Sequence, residues 1–260
     1  MNVITFSNVK GGVGKTTTAA NLAAVLAHDH GRRVLAVDLD PQSNLTLGLG
    51  IDPLSLQATV YDVLHKPAIA RQVTVSTQVH GLDLLPANLD LAGAEVELSA
   101  KVGRELRLRR ALEGLGDAYD DVLIDTPPSL GLFTQNALMA ARYVVSPVEP
   151  SFYALHALGQ LRQMIDEVIQ PYNPPLHILG IVLTRYDSRN RLTAEVESRL
   201  RAELGSLVFG TVIPVNVKAA EAPAAGQPVT RYAPTSPSAR AYRDLAAEML
   251  YRLEADSEQG

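Results

Sequence analysis

Val9-Lys10-Gly11-Gly12-Val13-Gly14-Lys15-Thr16-Thr17 follows an apolar run, Val3 to Phe6, and opens into an alanine-rich run, Thr18 to Ala27. Strand, glycine loop, helix is the setting in which a phosphate-binding loop makes physical sense. Glycines let backbone N–H groups crowd phosphate oxygens with no Cβ in the way. A helix starting near Lys15 adds unpaired N–H groups and the positive end of its dipole. In the pattern G-x-x-x-x-G-K-[ST], Lys15 reaches the β and γ phosphate oxygens and the Thr16 hydroxyl ligates Mg²⁺ directly. Gly11, Gly12, Val13, Gly14, Lys15, Thr16 and Thr17 are therefore the expected nucleotide cradle. The first glycine of that pattern is missing: Val9 holds its place, and a second lysine, Lys10, follows.

Outward from the loop, apolar segments alternate between two lengths. Arg33–Val37, Asp121–Asp125, Tyr143–Val148, Ile178–Thr184 and Leu207–Ile213 read as buried strands, and Val73–Leu85 as two shorter ones split at Gly81. Helices are predicted over Leu45–Leu49, Leu54–Leu64, Leu89–Glu113 with a break at Gly103, Leu132–Ala141, Thr193–Leu204 and Ser238–Leu253. A long amphipathic helix, Ala154–Ile169, is stopped by Pro171, Pro174 and Pro175, and Pro223–Pro237 reads as a proline-rich loop. Strands that are apolar throughout and alternate with helices predict an α/β fold: one mostly parallel, twisted sheet with helices on both faces. No repeat or linker divides the 260 residues, so residues 1–260 are expected to form a single P-loop NTPase domain.

Ligands of parallel sheets bind beyond the carboxyl ends of the strands. Asp38, Asp40 and Asp125 all lie at or just past such ends. Asp121-Val122-Leu123-Ile124-Asp125 looks like a Walker B segment, with Asp125 holding Mg²⁺ through a water. Three carboxylates cannot hold a triphosphate unaided; the metal and the two lysines supply the compensating charge.

The variant loop K-G-G-V-G-K-T-T (Lys10–Thr17) resembles the deviant phosphate loop of the ParA/MinD family of P-loop ATPases, and small ParA/Soj-type partition ATPases most of all. The likeness runs through Asp38-Leu39-Asp40-Pro41-Gln42, similar to the family's first switch, and through Pro147–Leu155. In that second stretch Glu149 replaces a usual Gln, and Ser151 and Phe152 also depart. It continues through Val212–Lys218 with Glu221-Ala222-Pro223. The resemblance implies a slow, partner-stimulated Mg²⁺-dependent ATPase with ATP and Mg²⁺ as cofactors. It gives Lys10 a role in trans, on the nucleotide of a second subunit, and so a homodimer when ATP is bound. It gives Asp40 the orienting of the attacking water, so that Lys10, Lys15 and Asp40 form the catalytic set. It makes Asp38 a more distant magnesium partner, and it sets Pro214 and Asn216 beside the adenine.

The same resemblance implies chromosome or plasmid partition, with non-specific double-stranded DNA and a ParB-like centromere-binding activator as partners. Arg185, Arg189, Arg191 and Lys218 are the expected DNA contacts. Val215 stands where the family has Arg, and Ala233, Thr235 and Pro237 replace charged residues; Arg231, Arg240 and Arg243 are available to compensate. A net charge of −5 confines any DNA site to a local patch. A second basic run, Lys101, Arg104, Arg107, Arg109 and Arg110, reads as a solvated helix face, and the six histidines show no metal-ligand spacing. The absence of cysteine excludes disulfide scaffolds and the cysteine-held clusters of nitrogenase iron protein. The acidic end, Leu253–Gly260, lacks the basic amphipathic tail of a membrane-bound MinD-like protein. No membrane partner and a cytoplasmic, nucleoid-associated location are expected. The rival reading is a ParA-like ATPase that positions a protein or membrane cargo, or a nucleotide-binding regulator with little hydrolysis.

Overall fold

The computed structural model describes residues 1–169 and 172–258. Among these described residues eight strands form one sheet: β1 (Asn2–Phe6), β2 (Val34–Asp38), β3 (Val75–Ser76), β4 (Leu82–Leu85), β5 (Asp121–Asp125), β6 (Tyr143–Val148), β7 (His177–Tyr186) and β8 (Val208–Pro214). Their order is β3-β4-β2-β5-β1-β6-β7-β8, parallel except for the short edge strand β3. The helices are α1 (Lys15–His28), α2 (Asn44–Gly48), α3 (Val60–His65), α4 (Ala70–Val73), α5 (Leu91–Leu98), α6 (Arg107–Glu113) and α7 (Leu132–Ala140). After these come α8 (Ala154–Ile169), α9 (Arg191–Leu204), α10 (Val217–Glu221), α11 (Val229–Tyr232) and α12 (Pro237–Ser257).

The strands alternate their buried side chains between two cores. Ile4, Phe6, Ala36, Leu84 and Leu123 face α1 and α12. Val3, Leu35, Val37, Val122 and Ile124 face the helices α3, α5, α6, α7 and α8 on the other side. A third cluster under α8 and α9 covers β7 and β8. Burial on both faces explains why these strands lack the polar alternation of a half-solvated sheet.

Parallel register sets the site. Phe6 of β1 lies opposite Asp125 of β5, and Asp125 lies opposite Asp38 of β2. Three neighbouring strands therefore end at one level, and the phosphate loop leaves the sheet where both aspartates emerge.

Three predicted elements differ. Leu54–Leu64 is not one helix. A 3-10 turn at Pro53–Ser55 is followed by α3, because Thr59 and Asp62 close a reciprocal capping box that starts a new helix. The Pro223–Pro237 stretch is not a plain loop; it contains a 3-10 turn, Ala222–Ala225, and α11. Leu89–Glu113 breaks at Gly103 as predicted, where φ is 68°, but the break is wide. Pro171 lies outside the described residues.

The second basic run is only partly solvated. Arg107 donates to the Leu64 and His65 carbonyls at the end of α3, and Arg104 to the Ser99 carbonyl. Arg107 thus ties α6 to the end of α3, and Arg104, in the 3-10 turn before α6, reaches the end of α5; both satisfy carbonyls at helix ends.

Candidate nucleotide site

The loop between β1 and α1 turns on Gly12 (φ 74°) and Gly14 (φ 86°), a region that favours glycine. Gly14 is the N-cap of α1 and brings no capping side chain, so the first N–H groups of the helix stay available to a ligand. Side chains from distant segments fix the loop. Asn8 donates to the Pro147 carbonyl at 2.8 Å and accepts from the Lys10 N–H at 2.9 Å. Thr184 donates to the Val13 carbonyl at 2.7 Å. Thr126 donates to the Phe6 carbonyl at 2.8 Å.

Gly11, Gly12, Gly14, Lys15, Thr16 and Thr17 line one cavity of about 790 Å³. That volume suits a cofactor-sized ligand. The Val13 side chain does not line it; it is buried and packs inward. Pro214 and Asn216 line it too, and Asn216 caps α10 by accepting the Lys218 N–H at 2.8 Å. Tyr242 of α12 and Asn21 of α1 also reach the cavity, and sequence reading missed both. So it did the pair Gly50 (φ 82°) and Gly226 (φ 63°): a Cβ on Gly226 would sit 2.8 Å from the Gly50 Cα. This close approach joins the segment after α2 to the segment before α11.

The electrostatics concentrate at the strand ends. Lys15 is 6% exposed and folds over its own loop, donating to the Asn8 carbonyl at 3.1 Å and the Lys10 carbonyl at 3.4 Å. Burial pulls its ammonium below the usual lysine value, while Asp125 and Asp40 pull it back up. Asp125 is fully buried, and among the described residues neither of its oxygens has a hydrogen-bond partner. Burial, then the Asp38 charge, push its carboxyl well above the usual range; the Thr16 hydroxyl, near enough to favour the charge without closing a hydrogen bond, and Lys15 oppose them. An orphaned buried carboxylate is costly, and a missing cation is a standard reason for one. With the Thr16 hydroxyl beside it, the donor set is the hard oxygen kind that suits Mg²⁺.

Asp38 is differently used. One oxygen accepts the Asp40 N–H at 3.1 Å; the other accepts the Thr46 N–H at 2.9 Å and hydroxyl at 2.7 Å. Burial nevertheless pushes it up to about 6, against those hydrogen bonds. It staples the Asp40 segment to α2. Asp40 lines the cavity and accepts the Gln42 N–H at 2.9 Å through one oxygen.

Lys10 does not line the cavity. Its ammonium turns outward to the Glu149 carboxylate at 2.9 Å and the Ser151 hydroxyl at 3.3 Å. The expected DNA cations are exposed but not all together. Arg189 is 87% exposed and bidentate to Asp187, Arg191 pairs with Glu195, and Lys218 pairs with Glu221. Arg185 is elsewhere: it lines the mouth of the nucleotide cavity and pairs with Glu149. Arg243 does not compensate on the surface, because it is committed to Asp29 and to the Pro234 and Thr230 carbonyls. Among the described residues no cluster of His, Asp and Glu could hold a further metal, and no helix is long and apolar enough to cross a membrane.

Comparison with known proteins agrees with this geometry. A family model described as an AAA domain matches residues 1–178. The chain is 49% identical over 251 residues to the chromosome-partitioning ATPase Soj of Thermus thermophilus, covering 96% of each chain. It is 46% identical over 247 residues to the sporulation initiation inhibitor protein Soj of Bacillus subtilis, covering 95% of this chain and 97% of that one. Among solved structures, a cobyrinic acid a,c-diamide synthase from Mycobacterium smegmatis, with a bound ATP analogue and magnesium, matches with TM-score 0.85 and 40% identity. The match covers 98% of this chain and 97% of that one.

Proposed function

The chain belongs to the Soj/ParA family of partition ATPases, and from that premise we propose that it is an ATP-driven switch that partitions DNA. ATP binds the cradle of Gly11–Thr17, where Thr16 and Asp125 are the residues that would hold Mg²⁺. The ion, when bound, would neutralise charge on the triphosphate and add to the counter-charge that Lys15 alone gives Asp125. Lys15 leaves the Asn8 and Lys10 carbonyls for phosphate oxygens. Asp40 accepts from the attacking water and sets its line of approach, a positioning role of the kind phosphoryl transfer needs. Asp38 keeps the Asp40 segment in place through its three hydrogen bonds.

The observation that carries the switch is the division of labour between the two lysines. Lys15 is buried inside the cavity, whereas Lys10, on the same loop, points away from it and is a third exposed. An outward ammonium can serve the phosphates of a second copy. Next to it, Phe152 and Tyr153 form an exposed T-shaped pair with ring centroids 5.2 Å apart. Exposed adjoining aromatics of this sort favour burial against a partner. ATP thus joins two chains, hydrolysis parts them, and the bound state differs from the free one by an ion-pair exchange at Lys10.

The dimer binds double-stranded DNA without sequence preference, and a ParB-like protein stimulates hydrolysis. Arg189, Arg191 and Lys218, with exposed Arg231 and Arg240, carry the DNA contact. Their acidic neighbours reduce the charge each offers, so binding depends on two copies acting together and falls steeply with salt. The direct test is co-sedimentation with DNA in ATP, ADP and no nucleotide: retention is expected with ATP only, and equal retention in all three contradicts the switch. Arg189→Glu takes the partner from Asp187, adds a second carboxylate beside it and reverses the local charge. It is expected to lower DNA retention at low salt about tenfold or more while leaving ATP affinity alone. Unchanged retention at low salt would remove Arg189 from the patch.

A further inference from the structure

Arg185 is the one DNA-assigned cation that the fold sends to another place. It is one of two non-glycine residues with positive φ among the described residues, at 49°. Such a conformation is disfavoured for a residue with a Cβ and marks a site where surroundings impose it. The cause is local: from Leu183 to Tyr186, β7 takes three steps while β8 takes two, Val212 to Pro214. An extra residue at the end of a strand re-aims a side chain. Here the re-aimed side chain is Arg185, which lines the cavity with Gly14, Pro214 and Val215. Its neighbour Thr184 is clamped to the phosphate loop through the Val13 carbonyl.

Glu149 occupies the guanidinium. Its Oε1 lies 3.4 Å from Arg185 Nε, while its Oε2 accepts from Lys10 Nζ at 2.9 Å. One partly exposed carboxylate thus holds two cations, Arg185 at the mouth of the cavity and Lys10 outside it. A carboxylate and a phosphate offer a guanidinium the same kind of acceptor oxygens. The geometry points to Arg185 as a residue of the nucleotide site: it contacts the polyphosphate of a bound nucleoside triphosphate, and Glu149 is the internal anion that the nucleotide must displace. This rests on the nucleotide-binding reading above and takes Arg185 out of the DNA patch.

The test is Mg-ATP affinity by titration calorimetry on the full chain, for wild type, Arg185→Ala, Glu149→Gln and the double variant. Arg185→Ala is expected to weaken ATP roughly tenfold or more, the loss of a charge-assisted contact. Glu149→Gln is expected to tighten it about threefold to tenfold, since exposed ion pairs are individually weak. Effects of opposite sign cannot both come from misfolding. In the Arg185→Ala background the gain from Glu149→Gln shrinks, because the two act through one pair. At saturating ATP, Arg185→Ala retains DNA as the wild type does. Normal ATP affinity in Arg185→Ala, or an undiminished Glu149→Gln gain in the double variant, overturns the proposal. So does loss of DNA retention with ATP affinity intact. A wild-type chain that fails to bind ATP at all overturns the nucleotide reading itself, a result distinct from these.

Discussion

Asp40→Ala is expected to bind Mg-ATP within about threefold of wild type and to lose at least about a hundredfold in turnover. The asymmetry follows from where Asp40 sits. The proposed phosphate cradle is loop backbone, Lys15 and Thr16, and Asp40 belongs to a different segment past the end of β2. One of its oxygens is spent on the Gln42 N–H; the other makes no hydrogen bond among the described residues and is the acceptor available to water. Asp40→Asn separates the two jobs, since an amide oxygen can still accept from Gln42 but the charge is gone. It should lose turnover like the alanine variant while melting like wild type. Steady-state phosphate release, with nucleotide affinity measured beside it, checks this; wild-type hydrolysis in either variant removes Asp40 from the reaction.

Lys15→Ala is expected to weaken ATP about a hundredfold or more. Two losses add. The ammonium that meets the β and γ phosphates disappears, and Asp125 and Asp40 lose the cation between them and the incoming anion. Removing a buried, charge-paired group is costly because its partners stay buried and uncompensated. The control is Lys15→Gln, whose amide can donate to the Asn8 or Lys10 carbonyl and hold the loop while lacking charge. Equal weakening in both variants assigns the effect to charge. Affinity for a fluorescent ATP analogue within threefold of wild type in Lys15→Ala would contradict the site.

Much of this was legible in the sequence because the signals are local. Asp121–Asp125 has an apolar centre, Val122–Ile124, between two aspartates, Tyr143–Val148 opens on an apolar Tyr143–Val145, and both ranges match the strands residue for residue. The glycine loop announces itself, and parallel topology sends Asp38, Asp40 and Asp125 to its side of the sheet. What the sequence hid depends on long-range pairing. Asn8 and Pro147 are 139 residues apart, as are Lys10 and Glu149, and nothing in either segment names its partner. Arg185 reads as the head of an arginine cluster until a bulge turns it toward the cavity. Gly50 and Gly226 look like ordinary loop glycines, though each is needed where two backbones touch. The missed start of α3 was recoverable: Thr59-x-x-Asp62 is a capping box in plain sight.

The central claim is that a triphosphate joins two chains through Lys10. Light scattering with Mg²⁺ and a slowly cleaved ATP analogue measures it directly. The account predicts twice the 27.9 kDa chain mass for wild type and a single chain mass for Lys10→Ala under the same conditions. A wild type that stays at one chain mass, or a Lys10→Ala variant that doubles as readily, would contradict it.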